Sequence, residues 1–422
     1  MLTRTRLAAL VTAAVLLTSV LTACGGEKKP DTPTPAPAAS EPAKQEAKVL
    51  KVVMGLGEPE WKVMREDVFP PFEKANNVKI EAYQVEAADV VKKLEAMKSA
   101  NKMEIDLIAQ DNMQLAPLVD MGLVEDLSAY RSKIPSSIIP ALIPVGEFTG
   151  KLYFLPYRPN VEINYYNETA FNKYNLKPPT TWEELLTVAK TFKDKEGVGK
   201  VGLKLVLDGN TTVQLFEFIR QAGGDPMVLN DEGSVKAYNF LKELYPYLGP
   251  DAKKADWNTT NKFLATDSFY TAPNWPFGVY VIVEEGGKKE IKAYAGWKGP
   301  VKASKVLGGE VLGIPTGAPN KDLAVKLMEH LMSKEVQEIL VTKLAWPASR
   351  SDAYGKVADW QKPYFDAIND AMKVTEPRPN VTYWADVDKA LNDAFREIVI
   401  EGQETKATLD KYAAVIAAAK KK

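Results

Sequence analysis

The sequence predicts an α/β fold, and three observations carry that prediction. Between Val49 and Asn112, apolar runs of strand length alternate with helical stripes in the order β-α-β-α-β. That order argues for a parallel sheet with helices on its faces. The chain has 422 residues, enough for two or three domains of about 150 residues each. Its 45% hydrophobic and 26% charged residues are those of an ordinary globular protein. Lys and Arg number 54 against 55 Asp and Glu, so no basic footprint for nucleic acid is present. One Cys and one His remove most metal and thiol chemistry, and no cofactor is expected. Cys24 has no partner for a disulfide.

The first residues address the chain. Arg4 and Arg6 precede an apolar run from Leu7 to Val20, shorter than the about 20 residues of a membrane-spanning helix. Leu21-Thr-Ala-Cys24-Gly-Gly follows, and residues 1–23 look like a bacterial lipoprotein signal, with cleavage before Cys24 and lipid on its sulfur. An ordinary secretory signal or an uncleaved anchor are the alternatives. Acylated Cys24 would tie the protein to a membrane, each buried CH₂ contributing about 0.8 kcal/mol. Residues 24–48, rich in Pro, Ala, Thr, Glu and Lys, read as a disordered, extended tether.

Val49 to Met54 reads as a buried strand that ends in Gly55-Leu-Gly-Glu58-Pro. A helical stretch through Trp61, Met64, Val68 and Phe72 follows, then a strand from Val78 to Tyr83. Val90, Leu94 and Met97 share one helical stripe, and Glu104 to Ala109 is a third strand ending at Gln110-Asp111-Asn112. In open sheets ligands bind beyond the carboxyl ends of strands. Glu58 and Asp111 both fall there; a solvated loop acid or a helix cap is the alternative for each.

Phe148 to Pro156 looks like a hairpin leading through Arg158 and Asn160 into a strand, Val161 to Tyr166. Lys177-Pro-Pro-Thr-Thr-Trp-Glu-Glu starts a helix, with Thr180 and Glu183 or Thr181 and Glu184 as a capping box. Trp182, Leu185, Leu186, Ala189 and Phe192 form its buried stripe. Lys200 to Val206 is strand-like; Thr212 to Ala222 and Ser234 to Leu248 are helical. Trp275, between Pro273 and Pro276, belongs to a turn. Its indole suits the C–H face of a sugar ring beside hydroxyls, although a core or hinge role competes.

Val306 to Pro315 is a short buried strand in which Gly308-Gly309 lets bare backbone approach another group. A helix with Leu323, Leu327, Met328 and Leu331 on one face follows. A second helix starts at Ser333-Lys-Glu335 and stops before Trp346-Pro-Ala-Ser-Arg350. Helices through Ile368, through Leu391 and Phe395, and from Thr405 to Lys420 complete the chain. His330 falls on an amphipathic helix as a surface or boundary residue.

This order resembles the carboxyl-terminal signature of family 1 extracellular solute-binding proteins, the receptors of sugar-type ABC importers. Its carriers are Gly308-Gly309, Ser333-Lys-Glu335-Val-Gln337 and Pro347-Ala-Ser-Arg350, joined by Pro156 to Asn167 and the Pro178-Pro-Thr-Thr-Trp-Glu-Glu run. The likeness covers nearly all of the chain from Val49. It implies a two-lobed periplasmic-binding-protein fold of class II type, each lobe a mainly parallel sheet flanked by helices, joined by a multi-strand hinge. The expected amino-terminal lobe is 49–157 with 272–332, and the carboxyl-terminal lobe 158–271 with 333–422. Carried over residue by residue, it implies ligand roles for Glu58, Asp111, Trp275, Gly308, Gly309 and Arg350, with Arg158 and Asn160 facing the cleft; a plain hinge role is the alternative for either. Glu310 and Trp346 complete the candidate set. Glu310 departs from the trehalose- and maltose-binding branch, where an aromatic often follows the paired glycines.

Three classes of function compete. The resemblance implies a monomeric, lipid-anchored receptor that takes a di- or oligosaccharide to an ABC permease with its cytoplasmic ATPase, without binding nucleic acid. A glycoside hydrolase would need two carboxyls about 5–10 Å apart, with Glu58 and Asp111 as the candidate pair. A metal receptor is disfavoured by one His and a lipid-committed Cys.

Overall fold

Strand β1 (Lys48–Met54) alternates in sequence and therefore in facing: Leu50, Val52 and Met54 enter one apolar cluster, and Val53 enters another on the opposite side. The structure, a computed structural model, describes residues 47–421. Cys24, the signal 1–23 and all but the last two residues of the expected tether lie outside the described residues. Lys48, placed in that tether by its composition, instead opens β1 and pairs with Val78.

Strands β2 (Val78–Gln84) and β3 (Leu107–Asp111) run parallel to β1 on either side, as the β-α-β-α-β order predicts. Beyond a hairpin of β4 (Glu147–Phe148) and β5 (Lys151–Leu152), β6 (Leu155–Asn160) leads into β7 (Ile163–Asn167). Strands β8 (Thr271–Asn274) and β9 (Ile291–Tyr294) flank β7 in antiparallel fashion. The expected parallel sheet of the second lobe differs in this detail, because both pairings within β8-β7-β9 are antiparallel. Lys200 to Val206 forms only parallel bridges, from Val201 to Leu248 and Thr271.

Strand β10 (Lys305–Gly313) joins the two halves. Lys305 to Leu307 pair with β11 (Thr375–Pro377). Farther on, Glu310 to Gly313 pair with β3, and Gly308 to Leu312 pair with β6 across a bulge after Glu310. One strand thus carries residues of both lobes past the same point.

Two segments pack on the core opposite to the one expected. Ala272, Val279, Ile282, Ile291 and Trp297 join the second-lobe cluster because β8 and β9 border β7. Helix Lys334–Leu344 turns Val336, Leu340 and Leu344, spaced by four, onto the first-lobe cluster. Helix Trp182–Glu196 starts as predicted: the Thr181 hydroxyl accepts from Glu184 N, while the Glu184 carboxylate accepts from Thr180 N at 2.6 Å.

Candidate functional site

The carboxyl end of β3, the crossing strands β6 and β10, and the starts of second-lobe helices enclose a cavity of about 310 Å³. This lies at the small end of ligand pockets, which span about 300–1,000 Å³. Six residues singled out in the sequence line it: Asp111, Arg158, Asn160, Trp275, Gly309 and Glu310.

The paired glycines have separate reasons to be bare. A Cβ on Gly308 would lie 2.7 Å from Cη2 of Trp275, so the indole rests on that backbone. At Gly309 a Cβ would lie 2.1 Å from the Arg158 carbonyl oxygen, and φ is +118°, where side chains are strained. Trp275 is half-buried and packs against the clusters of both lobes; its carbonyl accepts from the Tyr165 hydroxyl at 2.9 Å.

Arg158 is committed to the protein. Its Nε and Nη2 fork onto the Glu310 carboxylate, each at 2.5 Å, and Nη1 donates to Glu60 Oε1 at 3.1 Å. The guanidinium lies 3.7 Å from the centroid of the Trp346 ring. Glu60 Oε1 also accepts from Trp346 Nε1 at 2.9 Å, and Oε2 accepts from Gly57 N at 2.8 Å. Burial raises the Glu60 carboxyl above its ordinary value, against the opposing pull of Arg158. Burial alone would lower Arg158, but Glu310 and Glu60 outweigh it and hold the guanidinium charged. Glu310 therefore has a definite task where an aromatic was the family expectation: it is the fork for Arg158.

Asp111 is met from the other lobe. Arg378 Nη2 donates to Asp111 Oδ1 at 2.7 Å and to Asn112 Oδ1 at 2.5 Å, while Nη1 touches only the Met113 sulfur, a weak acceptor. Arg378 Nε is buried without a hydrogen-bond partner among the described residues. Asn160 keeps its side-chain oxygen on Val161 N at 3.1 Å.

Four expected residues do not line the cavity. Glu58 opens helix Glu58–Val63 with its side chain 86% exposed, facing Arg65; two residues on, in the same turn, the inward carboxylate is Glu60. Glu58 and Asp111 therefore do not assemble as an acid pair in the cavity. Trp346 is buried one layer behind, under Arg158. Arg350 staples its own loop: it forks onto Asp352 and donates from Nη1 to the Met332 carbonyl at 2.9 Å. Gly308 shows its open side to a smaller recess behind β10.

Much of the second-lobe wall escaped the sequence reading. Asp208 and Asn210 stand at the start of helix Gly209–Gln221, where the Asp208 carboxylate caps the first turn. Trp384 and Asp388 sit one turn apart on helix Trp384–Phe395. Trp257 is drawn in by its backbone N–H, which donates to Asn210 Oδ1 at 2.9 Å. Glu162 and Lys204 form a fully buried ion pair at the same wall. The cap pattern at Asp208 was readable in the sequence; the side on which Trp384 and Asp388 would fall was not.

Residues 68–365 match the family described as bacterial extracellular solute-binding protein. A curated relative from Deinococcus radiodurans, named a probable ABC transporter-binding protein, is 24% identical over 344 residues, which is 75% of this chain and 80% of its own. The maltose-bound MalE3 of T. maritima matches with a TM-score of 0.81 at 18% identity, over 88% of this chain and 100% of that one. A solute-binding protein of an ABC transporter from Thermotoga lettingae, bound with α-D-tagatose, gives a TM-score of 0.80 at 21% identity, over 88% and 100% of the two chains. These likenesses place the chain among two-lobed α/β binding folds.

Proposed function

The chain belongs to the family of bacterial extracellular solute-binding proteins, and from that premise we propose that it is the extracytoplasmic receptor of an ABC importer that traps a carbohydrate between its lobes. The observation that carries the ligand class is the lining of the cavity. The half-buried indoles of Trp275 and Trp257 stand beside carboxylates and amides, the combination that pairs the C–H face of a sugar ring with its hydroxyls. Maltose and tagatose in the structural neighbours support the same class, and the name of the Deinococcus relative supports an ABC permease with its ATPase as partner.

Closure of the lobes about a hinge delivers the ligand in this reading, with β6 and β10 as the crossing strands. The ligand-contacting groups are Asp111, Glu310, Trp275 and the bare backbone at Gly309, while Arg158 holds Glu310 in place. Acylation of Cys24 would keep the receptor beside its permease, and no helix of the described residues is long and apolar enough to cross a membrane.

A thermal-shift screen of the full chain against mono-, di- and oligosaccharides tests the reading. Ligand at a hundredfold excess over Kd adds about 2.7 kcal/mol to stability. A shift confined to one sugar class names the substrate; no shift with any sugar refutes the carbohydrate reading and redirects the search to peptides and polyols.

A further inference from the structure

We propose that the cleft selects a sugar bearing a protonated amine, which it seats where Asp208 and Asp388 meet the indole of Trp257. The inference rests on the carbohydrate reading above and narrows it to amino sugars.

A ligand in the cleft meets mostly negative charge. Seven carboxylates and three cations line the cavity. Each cation is at least nine-tenths buried and already paired: Arg158 with Glu60 and Glu310, Lys204 with Glu162, and Arg378 with Asp111. The accessible polar surface is therefore mainly acceptor and negative. An acidic sugar would meet like charge, while a donor-rich or cationic ligand would be drawn in.

Among the described residues, neither Asp208 nor Asp388 has a Lys, Arg or His in ion-pair contact. Asp208 uses only Oδ1, which accepts from Asn210 N at 2.8 Å and Nδ2 at 2.9 Å. Asp388 also uses only Oδ1, which accepts from the Thr212 hydroxyl at 2.5 Å and Asn392 Nδ2 at 3.5 Å. Among the described residues, the Oδ2 atoms of both have no hydrogen-bond partner. The two acids are tied together, since Asn392 Nδ2 reaches the Asp208 carbonyl at 3.3 Å and Thr212 Oγ1 at 2.9 Å.

Aromatic rings flank both acids. Trp384 lies four residues before Asp388, on the same helix face. Trp257 is fixed to Asn210, two residues past Asp208. The half-buried Trp257 indole can attract an ammonium group, while Trp384, packed in the second-lobe core, closes the wall behind Asp388. A hydroxyl can donate to these carboxylates but brings no charge; an ammonium supplies three donors and a positive charge.

The test is calorimetric titration of the full chain at pH 7 with matched sugars. The monomer set is glucosamine, N-acetylglucosamine, glucose and glucuronate; the dimer set is the chitosan disaccharide, diacetylchitobiose and cellobiose. The free amine should bind about tenfold or more tighter than its acetylated and neutral counterparts, with glucuronate weakest. Asp208→Asn, which keeps the capping oxygen, and Asp388→Asn should each shrink that preference. Neutral sugars binding within about twofold of the amine, or a preference that survives both substitutions, would overturn the inference and leave the carbohydrate reading standing. Failure of all seven sugars to bind also overturns the inference, while the broader thermal-shift screen decides the carbohydrate reading.

Discussion

At the scale of single residues, Trp275 and Glu60 mark what the sequence could and could not announce. Trp275 was legible because two prolines exclude it from a regular element, and the structure adds that its ring rests on the bare Gly308 backbone. Trp275→Ala is expected to weaken sugar binding by about tenfold, or about 1.4 kcal/mol, with the fold intact by circular dichroism; unchanged affinity would remove it from the site. Glu60 was missed for its neighbour Glu58, because the phase of a six-residue helix cannot be set from so few residues. Its carboxyl is raised by burial, so the native state holds a proton that the unfolded chain releases first. Its contribution to stability is then fully present below the ordinary carboxylate value and is lost as pH rises through the raised one. Glu60→Gln cannot titrate, so its stability relative to wild type should rise between pH 4 and pH 7. Urea denaturation at both values checks this, and a relative loss on going to pH 7 would contradict it.

At the scale of elements, strand β10 shows how local patterning and distant partners divide the information. Alternation and the final proline placed the strand and its glycines in sequence. Its three neighbours β3, β6 and β11 could not be read, because they come from residues 107–111, 155–160 and 375–377. The same gap explains why the segments around Ala272 and Val336 pack on the unexpected core: periodicity gives a buried face without naming what buries it. Gly309 tests the argument for close approach. A strained φ costs of order 1–3 kcal/mol, and at Gly309 a Cβ also meets the Arg158 carbonyl. Gly402 shares a positive φ, +81°, but has open space around it. Gly309→Ala should therefore destabilise the protein distinctly more than Gly402→Ala in thermal denaturation and should also lower affinity by displacing Arg158 and Glu310. Equal losses would mean that the backbone angle alone calls for glycine.

At the scale of the whole molecule, the two-lobed fold followed from motif order, whereas the bridge that joins the lobes over the cavity did not. Arg378 follows β11 in a Pro-Arg-Pro run that reads as a plain loop, yet its side chain is 1% exposed and grips Asp111 and Asn112 at the far end of β3. The grip is asymmetric in what its loss would leave. Asp111 retains a hydrogen bond from Met113 N at 2.9 Å, and Asn112 still donates to the Leu307 carbonyl at 3.1 Å. Removing the arginine therefore leaves Asp111 Oδ1 satisfied and strands one buried acceptor, Asn112 Oδ1, on the first lobe. What disappears is a charge-assisted contact worth about 1.5–3 kcal/mol, enough to change the ratio of open to closed lobes by roughly 10- to 150-fold. Arg378→Met should consequently give the ligand-free protein a larger radius of gyration by small-angle scattering, while saturating sugar restores the wild-type value. Equal radii without ligand would show that the crossing strands alone set the lobe angle. A larger radius that sugar cannot reduce would instead make Arg378 part of the closing step.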